Sequence, residues 1–220
     1  MPQNTTSKKQ IAYDAIKEGI ISGKYKTGEQ LVERNLCEAL GISRTPVREA
    51  LIALTEEGLL KMDSGRGVFV AKLKFEDMAE LYDLRESLEC LAVKLMVDRA
   101  TPDEKQVLKK MFDEEKECLE KGDYDKFMHL DMDFHKQIAA FSRNKRLYAM
   151  LNSIYAPISM MAFMTKDEPK VQTSAISGHQ ALMDAIMAGD TEKAVKAMSD
   201  HVIAIRTHHT DKYYLFSSED

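Results

Sequence analysis

Three histidines and one aspartate in the second half of the chain have the types and spacing to hold a metal ion. Asp131 and His135 stand four apart on a helical face shared with Met128, Met132, Ile138 and Ala139, so that face points inward. His179 shares the inner face of its helix with Ile176, Leu182, Met183 and Ile186, and His201 does the same with Met198 and Ile205. His179 lies eleven residues before Asp190 and His201 eleven after it. In an antiparallel hairpin turning there, each stands roughly 16 Å from the turn at about 1.5 Å per residue, which leaves the two level. Imidazoles and a carboxylate converging this way make a first-row metal site with nitrogen and oxygen ligands and no thiolate. The competing reading is three separate core histidines, each satisfied by a local hydrogen bond; the matched spacing of all four residues weighs toward the ion. His129, His208 and His209 are left outside the set. His129 is six residues from His135 and points to another side, and His208, although it shares a face with His201, lies near the end of its helix.

Arg85 shares a face with Met78, Leu81, Tyr82, Leu88 and Ala92, so its guanidinium looks into the same interior and needs an anion there. Glu89, one turn on, supplies one as a structural salt bridge; alternatively Arg85 takes the carboxylate of a small ligand held between guanidinium and metal. The cluster Met160, Met161, Phe163 and Met164 reads as core filling.

A second chemistry sits near the front. Arg44 and Arg48 are four apart and project from one helix face, with the hydroxyls of Ser43 and Thr45 at the same helix tip. A guanidinium pair so placed suits phosphates and guanine edges in a major groove, although two arginines alone also describe an ordinary solvated helix face.

The elements around these residues decide between the readings. Val47, Ala50, Leu51 and Leu54 recur at helical spacing, Ser43 or Thr45 can cap the start, Pro46 falls in the first turn, and Gly58 stops the helix. Upstream, Leu31 to Leu40 reads as a short helix ending in Gly41, giving helix, tight turn and helix. Downstream, Leu59–Met62 and Val68–Val70 read as two short strands joined by the Gly-rich hairpin Asp63-Ser64-Gly65-Arg66-Gly67, which carries one cation. That is a winged helix-turn-helix, preceded by an amphipathic helix over Ile11, Ala15, Ile16 and Ile20 that ends near Gly23. Ala71 to Lys74 reads as a linker.

From Phe75 the pattern is helical throughout. One helix runs to about Ala100. Thr101-Pro102-Asp103-Glu104 is a capping box opening a second that ends at Gly122, and Asp123 caps a third to about Ser142. A fourth covers about Lys145 to Thr165, bent or broken at Pro157, and a fifth about Val171 to Ala188. A sixth, capped by Asp190, runs to about His209. The expected fold is mainly α: an N-terminal winged helix-turn-helix over residues 1–72, followed by an antiparallel all-α bundle over 73–220.

The charge follows that division. The 220 residues carry a formal charge of −5. Residues 1–72 hold 11 Lys/Arg against 9 Asp/Glu, or +2, and the remainder 20 against 27, or −7. A surplus of +2 is weak for a DNA binder, so affinity must come from where the arginines stand. Cys37, Cys90 and Cys118 are scattered and form no CxxC, which argues against a disulfide framework and fits a reducing, cytoplasmic setting. No signal peptide and no apolar run of membrane-spanning length is apparent, so no membrane partner is expected.

The stretch IKEGIISGKYKTGEQLVERNLCEALGISRTPVREALIALTEEGLL with its Gly-rich wing resembles the GntR family of bacterial transcription regulators. The segments DLRESLE, LDMDFHKQI and GHQALMDAIMAGDTEKAVKAMSDH resemble the FadR-type branch and its ligand-binding FCD domain, so the likeness spans about residues 9–209. Thr27 stands where the family often has proline before Gly28. The resemblance implies a homodimer on a near-palindromic operator in double-stranded DNA, contacted by Arg34, Arg44 and Arg48, with Thr45 beside them and Arg66-Gly67 in the wing. It implies a divalent ion, often zinc or nickel in relatives, on Asp131, His135, His179 and His201. A small organic acid completes the coordination, and Arg85 matches a pocket arginine. The expected mechanism is linkage: the bound acid changes DNA affinity by reorienting the winged domains. Two rivals stand beside it: a metal-dependent enzyme using the same ligands, and a regulator whose metal is structural or is itself the signal. Against the enzyme stand the lack of an obvious general base near the ligands and the complete DNA-binding module ahead of them.

Overall fold

The computed structural model describes residues 7–72 and 74–217, without the side chains of residue 75 and of residues 212–217. Leu73, inside the expected linker, is outside the described residues. The chain divides into two compact units that meet between Leu73 and Lys74.

In the first unit, the Ser7 side chain accepts from the Gln10 amide and starts α1 (Lys8–Ile21), whose buried stripe of Ala12, Ile16 and Ile20 lies against α3. Gln30–Leu31 forms β1, then come α2 (Glu33–Leu40) and α3 (Arg44–Glu56). Gly41, at φ 64°, ends α2 in the left-handed conformation and makes the tight turn. Ser43 takes the N-cap position of α3, although its side chain makes no capping bond. Val47, Ala50, Leu51 and Leu54 are the buried side of α3. The wing strands are β2 (Leu60–Asp63) and β3 (Gly67–Val70), antiparallel with Leu60 opposite Val70 and Asp63 opposite Gly67.

The sheet has a third strand that the sequence reading folded into the helix before Gly41. β1 pairs antiparallel with β3, with Gln30 opposite Phe69 and Leu31 opposite Val68, giving the order β1-β3-β2. Leu31 is buried under the wing, and α2 therefore starts at Glu33. Two residues are too short to show a period of two, so the pairing overrides the helical pattern.

The second unit contains α4 (Phe75–Arg99), α5 (Pro102–Glu120), α6 (Tyr124–Phe141), α7 (Lys145–Met164), α8 (Pro169–Ala188) and α9 (Thr191–Ser217). The expected capping box forms: Thr101 N–H donates to Glu104 Oε2 at 2.8 Å and Glu104 N–H to Thr101 Oγ1 at 3.2 Å. Asp123 and Asp190 cap α6 and α9 by accepting from the Lys126 and Lys193 amides. α4 lies against α9, α6 and α7, and α8 against α9 and α5. The inner faces of α4, α6, α8 and α9 thus share one interior.

Two boundaries differ from the pattern reading, and one of its alternatives falls away. α7 is not broken at Pro157 but continues through it, with Ile154 to Phe163 buried on every side. α8 starts at Pro169, where a missing N–H costs little. α9 extends to Ser217, well past His209. A further correction concerns apolar length. α7 is long and apolar enough by composition to cross a membrane, with a window of mean hydropathy 1.3, but 67% of that window is buried inside the protein. Packing against α4 and α6 accounts for its apolarity.

Candidate functional site

His135 comes from α6, His179 from α8 and His201 from α9, and their rings meet in the bundle interior. Ring centroids stand 5.0 Å apart for His135–His179, 5.1 Å for His135–His201 and 4.5 Å for His179–His201. One nitrogen from each lies within 4.8 Å of the others. The Nε2 atoms of His135 and His179 are 3.1 Å apart. Two nitrogens bound at about 2.0–2.1 Å to one ion, at tetrahedral or octahedral angles, stand about 2.8–3.4 Å apart, so this separation suits shared coordination. Asp131, one turn before His135, places Oδ1 3.8 Å from His179 Nε2 and belongs to an overlapping cluster with Glu115 and His179.

Behind the rings stand two buried carboxylates. Glu115 on α5 receives His179 Nδ1 at 2.9 Å. Glu89 on α4 lies against His135 Nδ1. A carboxylate on Nδ1 fixes the tautomer that turns Nε2 inward and makes it a better donor to a metal. His201 has neither such support nor any other: both its ring nitrogens are buried without a hydrogen-bond partner. A buried imidazole with two unpaired nitrogens is costly unless something electron-poor arrives. The donor chemistry, the Nε2 separation and this orphaned ring fit a divalent ion.

Arg85 is buried on α4 and donates from Nε to Glu89 Oε1 at 2.7 Å and from Nη2 to His135 Nε2 at 3.0 Å. The salt bridge expected with Glu89 is present, and the guanidinium also reaches the cluster. Charges in this interior are strongly biased. Burial raises the Glu89 carboxyl, but His135 and Arg85 outweigh it and hold it down at about 2. Burial lowers His179, yet Glu115 overrides it and raises its pKa. His135 and His201 are lowered, His135 by burial against the pull of Glu89 and His201 by burial and its cationic neighbours. Glu115 is raised by burial despite His179.

A cavity of ≈ 20 Å³ adjoins the cluster, lined by Arg85, Asp131, His201 and His209 with Met128 and Met132 among its apolar walls. It holds about one water-sized occupant. α8 and α9 cross closely here because residue 178 is glycine: a Cβ on Gly178 would stand 2.5 Å from His201 Nδ1.

In the first unit, Arg44 and Thr45 are exposed at the start of α3, beside Ser43. Arg48 is exposed and forms a two-pronged pair with Glu33 of α2, at 3.0 and 3.1 Å. Arg34 stands 3.8 Å from Glu38 on the outer side of α2. In the wing, Arg66 faces Asp63 at 3.4 Å, and its carbonyl accepts from Gln30 Nε2 at 2.6 Å. Gly67, at φ 111°, leaves room for that Gln30 side chain.

Sequence reasoning missed Glu115, Gly178 and His209. Glu115 does sit at helical spacing with Leu108 and Phe112, so a carboxylate on an apolar stripe was a usable signal. His209 follows His201 and Ile205 at a spacing of four, a usable signal weakened by its place at the expected end of the helix.

Comparison with known proteins places both units. Residues 8–70 match the family of bacterial regulatory proteins named gntR, and residues 80–204 match the FCD domain. A probable D-xylose utilization operon transcriptional repressor of Paenarthrobacter nicotinovorans is 30% identical over 87% of this chain and 84% of its own length. An uncharacterized HTH-type transcriptional regulator of Bacillus subtilis, YdhC, is 29% identical over 89% of this chain and 86% of its own. Among solved structures, Escherichia coli McbR/YncC superposes with a TM-score of 0.84 at 23% identity, covering 94% of this chain and 99% of that one. A GntR regulator from Rhodococcus sp. RHA1 gives 0.80 at 27%, over 93% and 98%. The chain belongs to the GntR family of transcription regulators, with an FCD domain behind the winged helix. Its relatives are DNA-binding regulators, not enzymes, and the enzyme alternative is set aside.

Proposed function

We propose that this protein is a cytoplasmic, ligand-responsive repressor that grips a near-palindromic operator as a homodimer and senses a small carboxylate at a divalent metal in the bundle. The winged unit, residues 1–72, supplies the DNA contacts through Ser43, Arg44, Thr45, Arg48 and Arg34, with Arg66 and Gly67 in the wing. The unit over 73–220 supplies the sensor. The observation that carries the reading is the meeting of His135, His179 and His201, the first two with carboxylates at their backs, in a bundle whose first helix brings a buried arginine to the same point. Asp131, His135, His179 and His201 would hold a divalent first-row ion by their nitrogen and oxygen donors, zinc or nickel as the family resemblance implies. Bound there, it would supply positive charge for a carboxylate that Arg85 grips from the other side. Glu89 and Glu115 orient the two rings.

Self-association is supported by Leu84 and Leu91, seven residues apart on α4 and 49% and 42% exposed. Ligand binding is transmitted through the segment joining the two units and alters the spacing of the paired α3 helices. Half-sites one turn of DNA apart, about 34–36 Å, tolerate little misalignment.

The size of the cavity favours a second reading, in which the metal alone is the signal or a structural part. At ≈ 20 Å³ it suits an ion or a water better than an organic acid. Fluorescence anisotropy on an operator duplex separates the two: metal alone, then metal with a panel of small acids. Coupling through an acid changes DNA affinity about 5- to 150-fold on top of any effect of metal. Binding of acids to the bundle with no change in DNA affinity overturns the linkage.

A further inference from the structure

We propose that His209 is a specificity-determining residue of the effector cavity, donating from Nε2 to an oxygen that the acid carries in addition to its carboxylate. The inference rests on the carboxylate-sensing reading above and narrows its ligand to hydroxy, keto or dicarboxylic acids.

His209 is 3% exposed, and its Nδ1 stands 2.6 Å from the hydroxyl of Tyr82, itself fully buried on α4. The residue lies beyond the segment that matches the FCD domain. Its direction can be worked out by counting protons. Burial and the charge of Arg85 hold its pKa down at about 3, so the ring is neutral and carries one N–H. Burial keeps Tyr82 protonated, with its pKa up at about 12. Arg85, whose Cζ is 5.7 Å from the Tyr82 ring centroid, has only donors to offer and cannot take the phenolic proton. The Tyr82 proton is thereby directed at His209 Nδ1, and the imidazole proton sits on Nε2.

That Nε2 is buried and has no hydrogen-bond partner. His209 lines the cavity shared with Arg85, Asp131 and His201. A donor kept dry and unpaired marks the place where an acceptor arrives. Arg85 and a metal at the histidine cluster account for one carboxylate; His209 requires a further oxygen on the same molecule. Met128 and Met132 in the walls are unbranched and adaptable, so the cavity can enlarge around such a guest.

The test is calorimetric titration of the full chain, purified without chelator and with its metal content measured. The titrants are propionate, its hydroxy and keto counterparts lactate and pyruvate, and the dicarboxylates malonate and succinate. At least one acid with the extra oxygen should bind tenfold or more tightly than propionate, because a site built to hydrogen-bond an oxygen rejects the analogue lacking it. His209→Leu should collapse that ratio to near one, His209→Gln should keep part of it through its amide donor, and Tyr82→Phe should weaken it by unpinning the ring. An unchanged ratio in His209→Leu, with acids still bound, overturns the role of His209 and leaves the sensing reading intact. If His209→Leu fails to fold, an unchanged ratio in both His209→Gln and Tyr82→Phe overturns it equally. Failure of every acid to bind the metal-loaded wild-type protein removes the sensing reading itself, and this inference with it.

Discussion

The guanidinium of Arg48 is already engaged by Glu33 through two nitrogens, so a phosphate or a base edge reaching it must first displace a carboxylate. Glu33→Gln should therefore tighten binding to any duplex by roughly two- to fivefold, since exposed pairs are worth little, whereas Arg48→Ala should weaken operator binding. Anisotropy titrations at fixed salt read both, and equal affinity for the Glu33→Gln and wild-type proteins would show that the pair does not compete with DNA. In the bundle, Glu115 would act on a bound metal through His179. Glu115→Gln should lower metal affinity about 10- to 100-fold while the ligands stay in place, read by competition with a chromophoric chelator; undiminished affinity would reduce Glu115 to a packing partner. The sequence showed the pairing of levels between His179 and His201 because rise per residue is constant on both sides of one short turn. It did not show Glu115 beside His179, since α5 and α8 are joined through two other helices and no ruler connects their registers. Glu89 was visible as a partner for Arg85, one turn away, but its second contact, with His135 from another helix, was not.

Among the elements, the α8–α9 hairpin is set by a hydrogen atom. Gly178→Ala would put a methyl 2.5 Å from His201 Nδ1, and the helices must separate or the ring must turn. Overpacking of this kind costs about 1–3 kcal/mol, so the melting temperature should drop and bound metal should fall together. A variant that loses stability but keeps full metal content would detach the glycine from the site. Long helices with caps were legible: Thr101 to Glu104, Asp123 and Asp190 mark their starts by local hydrogen bonding alone. β1 was not, because it is held by β3, almost forty residues on, and nothing local distinguishes Gln30-Leu31 from the first turn of a helix. At Pro157 the sequence left a bend and a break both open for a related reason. A proline interrupts one backbone bond, but an α7 buried around it is kept continuous by its surroundings.

For the whole molecule, the acidic surplus lies with the FCD unit and the slight basic one with the winged unit. Replacing both Leu84 and Leu91 with aspartate should yield a monomer by light scattering, with operator affinity falling toward that of a single half-site; a dimer that persists would move the interface elsewhere. The neighbour that Arg48 keeps also bears on how such a regulator spends its time. A bacterial chromosome presents about 10⁶ or more competing positions for each target, and nonspecific grip comes mainly from unneutralised cations. An arginine that must be coaxed from its own carboxylate is slow to settle on random sequence. Because that penalty falls on every duplex alike, it hastens exchange between positions without changing which sequence is preferred.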